Sequence, residues 1–264
     1  MNLPNALLAP LVTPFTDDVS AVSEVRLARL IRWLSERGAE AFVVGTDTGE
    51  GPTISFGERK QVLEIAIREA RGLPVAATVT STSTSVSLDL AQHAGRHGAA
   101  FLVSSPPTVR DLTPDEMARH FATILQHAHL PLIVVDPMSR LDDQAREKIQ
   151  GLQNVVMGRP WGSDREAPPH IHKTSQTDEF DCGETHATPI AALFPDRAAK
   201  NEADIVTTEA VRWARLLGPP RFLKNLYPLA GIEVGPARNP LRDPAPEQLD
   251  GLRQFASMVL PTPD

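Results

Sequence analysis

Six apolar runs of strand length punctuate the first 158 residues: ALLAPLV at 6–12, AFVVG at 41–45, PVAATV at 74–79, AAFLVS at 99–104, PLIVV at 131–135 and NVVMG at 154–158. They are apolar along their length instead of alternating, the pattern of strands buried on both faces of a parallel sheet. Between them, apolar residues fall at helical spacing. Leu27, Leu30, Ile31 and Leu34 share one face, as do Val62, Ile65 and Ala66, and then Met117, Phe121, Ile124 and Leu125. Ser55 with Glu58, and Thr113 with Glu116, have the spacing of capping boxes, in which the two side chains satisfy orphan amides at a helix start. The strand entries also echo one another, GAEAFVVG then LPVAATVT, GAAFLVSS then LPLIVVD, as a repeated βα unit would. Two architectures fit this rhythm. One is a (β/α)8 barrel, which needs about 250 residues; the other is a doubly wound open sheet, although no G-x-G-x-x-G follows the first strand.

After Gly158 the rhythm fails. Residues 159–189 contain no apolar run of strand length, yet hold three of the eight histidines and the single cysteine, Cys182. Patterning returns with Val206 to Leu217, a helix closed by Gly218-Pro219-Pro220, and with Leu249, Leu252, Phe255 and Val259 near the end. An out-of-frame or degraded stretch between two well-patterned halves would account for the abrupt change of composition at Arg159, and the coding DNA read in its other frames tests that idea.

Charge and cysteine narrow the function. A formal charge of -7 with no Lys/Arg-rich block argues against nucleic acid or an anionic membrane face as partner, while leaving small anions open. One cysteine rules out an intramolecular disulfide. With neither a charged-then-apolar leader nor a run of 18 apolar residues, the expectation is a soluble, cytoplasmic protein.

In a parallel barrel the ligand site lies at the carboxyl ends of the strands. That rule selects Thr46-Asp47-Thr48-Gly49-Glu50, Thr78 to Ser81, Ser104-Ser105, Asp136 to Arg140, and Arg159. For both arginines the structural alternative is a salt bridge at a strand-to-helix junction, and Thr48-Gly49-Glu50 reads equally as a turn with a buried carboxylate that pins the barrel mouth.

The segments APLVTPF at 9–15, TDTGEGPTIS at 46–55 with GER at 57–59, and PLIVVDPMSR at 131–140 resemble the dihydrodipicolinate synthase and N-acetylneuraminate lyase family. KNLYPLAG at 224–231 and RNPL at 238–241 look like that family's closing helices. The resemblance implies a (β/α)8 barrel, a class I aldolase forming a lysine Schiff base with pyruvate, no cofactor or metal, and a homo-oligomer. It favours the barrel over the open sheet, so the expected organisation is a barrel over 1–195, irregular in its sixth to eighth units, with C-terminal helices over 196–264 packed on it. It also makes the departures informative. The family's Gly-Thr-Thr-Gly-Glu loop reads here with Thr48, Gly49 and Glu50 in place but Asp47 for its first threonine, and an anion there repels a carboxylate substrate. Two family tyrosines have no counterpart in Pro107-Thr108-Val109, and a third matches Val135; the chain's one tyrosine is Tyr227. Arg140 falls where relatives binding a second carboxylate keep an arginine.

Matching NVVMGR to the family's lysine strand puts Arg159 at the Schiff-base position. A guanidinium stays protonated and is no nucleophile, so imine chemistry is lost on that alignment. A second alignment places HIHKTS at 170–175 on the strand and offers Lys173, at the cost of a polar run before it and too few residues for two further βα units. His170, His172, Cys182 and His186 offer zinc-type ligands, but H-x-H…C-x3-H matches no standard site, and the reading takes no metal. The candidate catalytic residues are therefore Arg159, Lys173 and Asp47, and the candidate substrate-binding residues Thr48, Gly49, Arg140 and Asp136. The expected function is that of a divergent dihydrodipicolinate synthase-like aldolase or lyase acting on, or binding, a 2-oxo acid such as pyruvate. The alternatives are an inactive small-carboxylate-binding or scaffold barrel, and chemistry in which Arg159 and Arg140 clamp a dianion while Asp47 or Asp136 acts as base.

Overall fold

A computed structural model describes residues 8–136, 138–158 and 205–260. Arg159, Lys173, the histidine- and cysteine-bearing segment and the expected boundary at residue 195 lie outside the described residues. Six strands, β1 (Leu8–Pro10), β2 (Ala41–Val44), β3 (Val75–Thr78), β4 (Phe101–Ser104), β5 (Leu132–Val135) and β6 (Val155–Gly158), pair in parallel and in strict chain order. A doubly wound sheet reverses its strand order at a switch point; this one does not. The first five strands are followed by α1 (Glu24–Glu36), α2 (Phe56–Glu69), α3 (Thr84–His97), α4 (Pro114–Ala128) and α5 (Asp143–Gln150). Sequential parallel strands with an outer layer of helices make this a (β/α)8-type barrel.

Side-chain alternation divides the core in two. Leu8, Ala41, Val43, Ala76, Phe101, Val103, Ile133 and Val135 form a cluster of their own on the inner face. The intervening residues, among them Phe42, Val44, Leu102 and Val134, join the helix faces carrying Leu27, Ile31, Ile65, Phe121 and Ile124 in the larger outer core. Burying each such large side chain contributes about 1.5–3 kcal/mol, which is why the uninterrupted apolar runs specify this two-sided burial. Both capping boxes form, with Ser55 and Thr113 each accepting an amide N–H three residues on. No helix among the described residues is long and apolar enough to cross a membrane.

The C-terminal extension consists of α6 (Ile205–Leu217), α7 (Pro219–Leu226), a 3-10 turn (Tyr227–Ala230) and α8 (Pro246–Val259). Gly218-Pro219-Pro220 does more than close a helix. Gly218 takes a positive φ of 80° and Pro219 opens α7, a position that needs no amide donor. Arg238–Leu241, expected to be helical, is not: Pro236, Pro240 and Pro244 cannot sustain a helical ladder, and the segment runs irregularly over the barrel. In α8, Gly251 admits the Trp213 ring of α6 so closely that a Cβ there would lie 2.7 Å from it.

Candidate functional site

The carboxyl ends of β2 to β5 open onto one cavity of about 450 Å3. Thr46 and Asp47 enter after β2, Thr80 and Ser81 after β3, Ser105 and Thr108 after β4, and Asp136, Met138 and Arg140 after β5, with Arg59 reaching in from α2. Hydroxyls and two guanidinium groups set its polar character.

The loops are cross-braced. Arg59 donates to the carbonyls of Thr78 (2.8 Å) and Thr80 (2.9 Å), fastening α2 to the end of β3, and Thr80 Oγ1 accepts the Ser105 amide at 2.9 Å. Asp136 is buried, and both its oxygens are engaged. Oδ1 accepts the Arg140 amide, Oδ2 the Leu141 amide, each at 2.8 Å, and Arg146 Nη2 donates to Oδ2 at 3.0 Å. Asp136 thus folds the turn that presents Arg140, whose Nη2 donates to the Val109 carbonyl at 2.6 Å and ties the β4 and β5 loops together. With the Asp136 charge met by Arg146, the remaining charges lining the cavity among the described residues are Arg59, Arg140 and the exposed Asp47.

The turn after β2 faces two ways. Asp47 points to the cavity side, while Thr48, Gly49 and Glu50 are buried, and Thr48 and Gly49 are not among the lining residues. Gly49 lies against β1, where an added Cβ would sit 2.7 Å from the Leu11 carbonyl, and Thr13 Oγ1 donates to the Gly49 carbonyl at 2.5 Å. Glu50 adopts φ of 57° and turns its carboxylate away from the cavity, towards the C-terminal extension. Its Oε2 accepts the Arg238 amide at 2.7 Å, and its Oε1 pairs with Lys224 Nζ at 2.5 Å. Lys224 also donates to the Pro236 carbonyl at 2.8 Å, and Lys224 and Arg238 flank the buried Phe15 ring, each about 4.1 Å from its centre. Burial pulls the Lys224 ammonium down to about 8, against the opposing pull of Glu50.

A lowered lysine is what imine chemistry requires, but Lys224 is 4% exposed and absent from the cavity wall. It acts as a pin between barrel and extension. Tyr227 is likewise remote from the cavity lining. It is fully buried, with its ring edge-on to Trp33, and burial pushes its phenol well above the ordinary value.

Comparison with known proteins gives this arrangement its relatives. The family model for the dihydrodipicolinate synthetase family matches residues 3–152. The chain belongs to the dihydrodipicolinate synthetase family. A 4-hydroxy-tetrahydrodipicolinate synthase from Bartonella bacilliformis is 32% identical over 155 residues, covering 56% of this chain and 52% of the relative. The chain spans about half the length of the curated relatives it matches. Two solved structures align over 97% of this chain and 99% of their own, each with a TM-score of 0.79: an N-acetylneuraminate lyase from Fusobacterium nucleatum at 18% identity, and a dihydrodipicolinate synthase from Acinetobacter baumannii, complexed with pyruvate, at 20%. At those identities they speak for the fold. The family match stops at Leu152, just before β6 and Arg159.

Of the sequence-derived candidates, Asp47, Asp136 and Arg140 come together around one cavity, whereas Thr48 and Gly49 lie behind it. Arg159 and Lys173 fall outside the described residues. Sequence reasoning missed Arg59 as a wall residue, although its GER motif was in view, and missed the Glu50–Lys224 pair. For that pair the available signal was a lysine on an otherwise apolar helix face, among Phe222, Leu223 and Leu226.

Proposed function

We propose that the cavity at the barrel mouth takes a small 2-oxo acid such as pyruvate, and that the protein acts on it or binds it as a lyase-type member of its family. The observation that carries this reading is the placement of Arg140 among the hydroxyls of Thr46, Thr80, Ser81, Ser105 and Thr108 at the strand carboxyl ends, where parallel barrels hold their ligands. A guanidinium offers a carboxylate charge-assisted hydrogen bonds, and hydroxyls can serve the 2-oxo oxygen. Asp136 is the positioning residue for Arg140, Thr48 and Gly49 shape the turn that sets the wall, and Asp47 stands where it can act as base or repel an anion. The pyruvate-complexed relative supports the substrate class.

In this reading the step that leaves the family's habit is imine formation. Arg159, at the position matching the Schiff-base lysine, supplies no nucleophile; Lys173 is the amine that would restore it. The phenolic relay has no phenol here, since the chain's one tyrosine is Tyr227 and it packs on Trp33. The valine that closes β5, Val135, favours the second reading, an inactive barrel that still binds a small carboxylate. A cytoplasmic homo-oligomer with no nucleic-acid or membrane partner belongs to both readings.

Calorimetric titration with pyruvate tests the binding claim. Arg140→Ala is expected to weaken affinity by about 10- to 100-fold, the worth of hydrogen bonds to a charged group. No saturable binding to the unaltered protein, or unchanged affinity in Arg140→Ala, overturns it.

A further inference from the structure

On the outer helical layer, away from the cavity, α2 and α3 bring Glu64, His93 and His97 together. His93 and His97 are four residues apart on one face of α3, the spacing that lets two imidazoles on a helix share a metal ion. Glu64 faces them from α2. One ligand atom from each residue lies within 4.8 Å of the other two. His93 Nε2 is 3.0 Å from Glu64 Oε1, and His97 Nδ1 is 4.0 Å from the same oxygen. The two rings are stacked, with centroids 4.1 Å apart and planes inclined by 24°.

One observation goes beyond proximity. His93 Nε2 is buried, and its approach to Glu64 is not aligned as a hydrogen bond, so this atom has no hydrogen-bond partner among the described residues. A buried polar atom in that state carries an energetic cost that a metal ion would remove.

We propose that Glu64, His93 and His97 form a divalent-metal site that selects zinc, with the fourth position open to solvent. Two imidazoles and one carboxylate are a recognised open zinc set, with bonds of about 2.0–2.2 Å, which places donors roughly 3.4 Å apart in a tetrahedron. The His93–Glu64 pair is already near that spacing, and His97, with its side chain 41% exposed, is free to swing the remaining distance. The donor set argues against a hard cation: two imidazoles stand beside a single carboxylate, whereas magnesium and calcium sites rely on several oxygen ligands. Bound zinc would clamp α2 to α3, two helices that flank the strand whose end Arg59 fastens.

Zinc titration by calorimetry, with cobalt substitution to read the coordination number from its visible spectrum, tests the site. Four proteins are compared: the unaltered chain, His97→Ala, Glu64→Gln, and a chain with His170, His172 and His186 changed to Ala and Cys182 to Ser. Both His97 and Glu64 are substantially exposed, so His97→Ala and Glu64→Gln leave the core intact, unlike a change at buried His93. The expected result is one zinc per chain with a tetrahedral cobalt spectrum, weakened at least about tenfold by His97→Ala and by Glu64→Gln, and retained in the four-residue variant. Absence of stoichiometric binding overturns the proposal, as does binding that is insensitive to His97→Ala and abolished in the four-residue variant.

Discussion

The turn joining β2 to α2 has two faces that differ in almost every physical respect. Towards the cavity it offers Asp47, exposed on a wall that Arg59 and Arg140 also line. Towards the C-terminal extension it offers Glu50, 1% exposed and engaged by Lys224 and the Arg238 amide. One face lines an open cavity, where we propose a small anion binds, and the other is closed by the chain itself. The contrast teaches that carboxylates three residues apart on a single turn can have unrelated roles, set by what packs against each. A family motif is therefore not a unit of function. Thr48-Gly49-Glu50 is held for its backbone path and its buried charge, and the residue most exposed to a ligand, Asp47, is the one that departs from the pattern.

Breaking the closed face should have the largest effect. Replacing Lys224 by Ala leaves Glu50 buried and unpaired, and urea denaturation should show a loss of about 3–5 kcal/mol. A Glu50→Gln, Lys224→Met double variant should lose clearly less than the two single losses added, because neither charge is then stranded. Gly49→Ala comes next. Its Cβ would meet the Leu11 carbonyl at 2.7 Å, and the cost should be about 1–3 kcal/mol in the same assay.

Titration sharpens the comparison further. The folded-state value of Lys224 is about 8, below its ordinary 10.5, so between those values the unfolded chain binds more protons than the folded one. Stability from this group therefore rises with pH across that window. Tyr227 acts in the opposite sense: its raised folded-state value means that stability is lost as pH climbs past the ordinary 10. Denaturant midpoints measured from pH 8 to 11 should rise and then fall, and Lys224→Met should remove the rise. On the acid side, burial lowers His120 to about 4, and stability should decline as pH falls from 6.5 towards that value.

The open face should respond least in stability and most in binding. Asp47→Thr, which restores the family's residue, should move the unfolding midpoint by no more than about 0.5 kcal/mol. It should tighten pyruvate binding severalfold, in line with about 1 kcal/mol for an exposed charge interaction. A large stability change from this substitution would erase the distinction between the two faces.

Much of the barrel was legible because its signals are local. Uninterrupted apolar runs marked β1 to β6, and Ser55…Glu58 and Thr113…Glu116 marked the starts of α2 and α4, since period and capping are fixed by residues within a few positions of each other. The cavity's position followed from the rule for parallel barrels, which selected Asp47, Asp136 and Arg140. The braces were not legible. Glu50 and Lys224 are 174 positions apart in the chain, and no local pattern says that one neutralises the other. Asp136 read as a ligand-facing carboxylate because its partners, two amides and Arg146, lie later in the same turn and in α5, where sequence shows charge but not direction. Arg238 read as part of a helix because RNPL at 238–241 resembles the family's closing helices, and the prolines around it decided otherwise.

The central claim is that the barrel mouth holds a 2-oxo acid without a covalent imine, and the most direct measurement is intact-mass spectrometry after incubation with pyruvate and borohydride. An imine-forming relative, labelled in parallel, confirms the reduction. The account predicts an unmodified chain under conditions where calorimetry shows saturable pyruvate binding. A stoichiometric adduct on any lysine, whether Lys173 or Lys224, would contradict it.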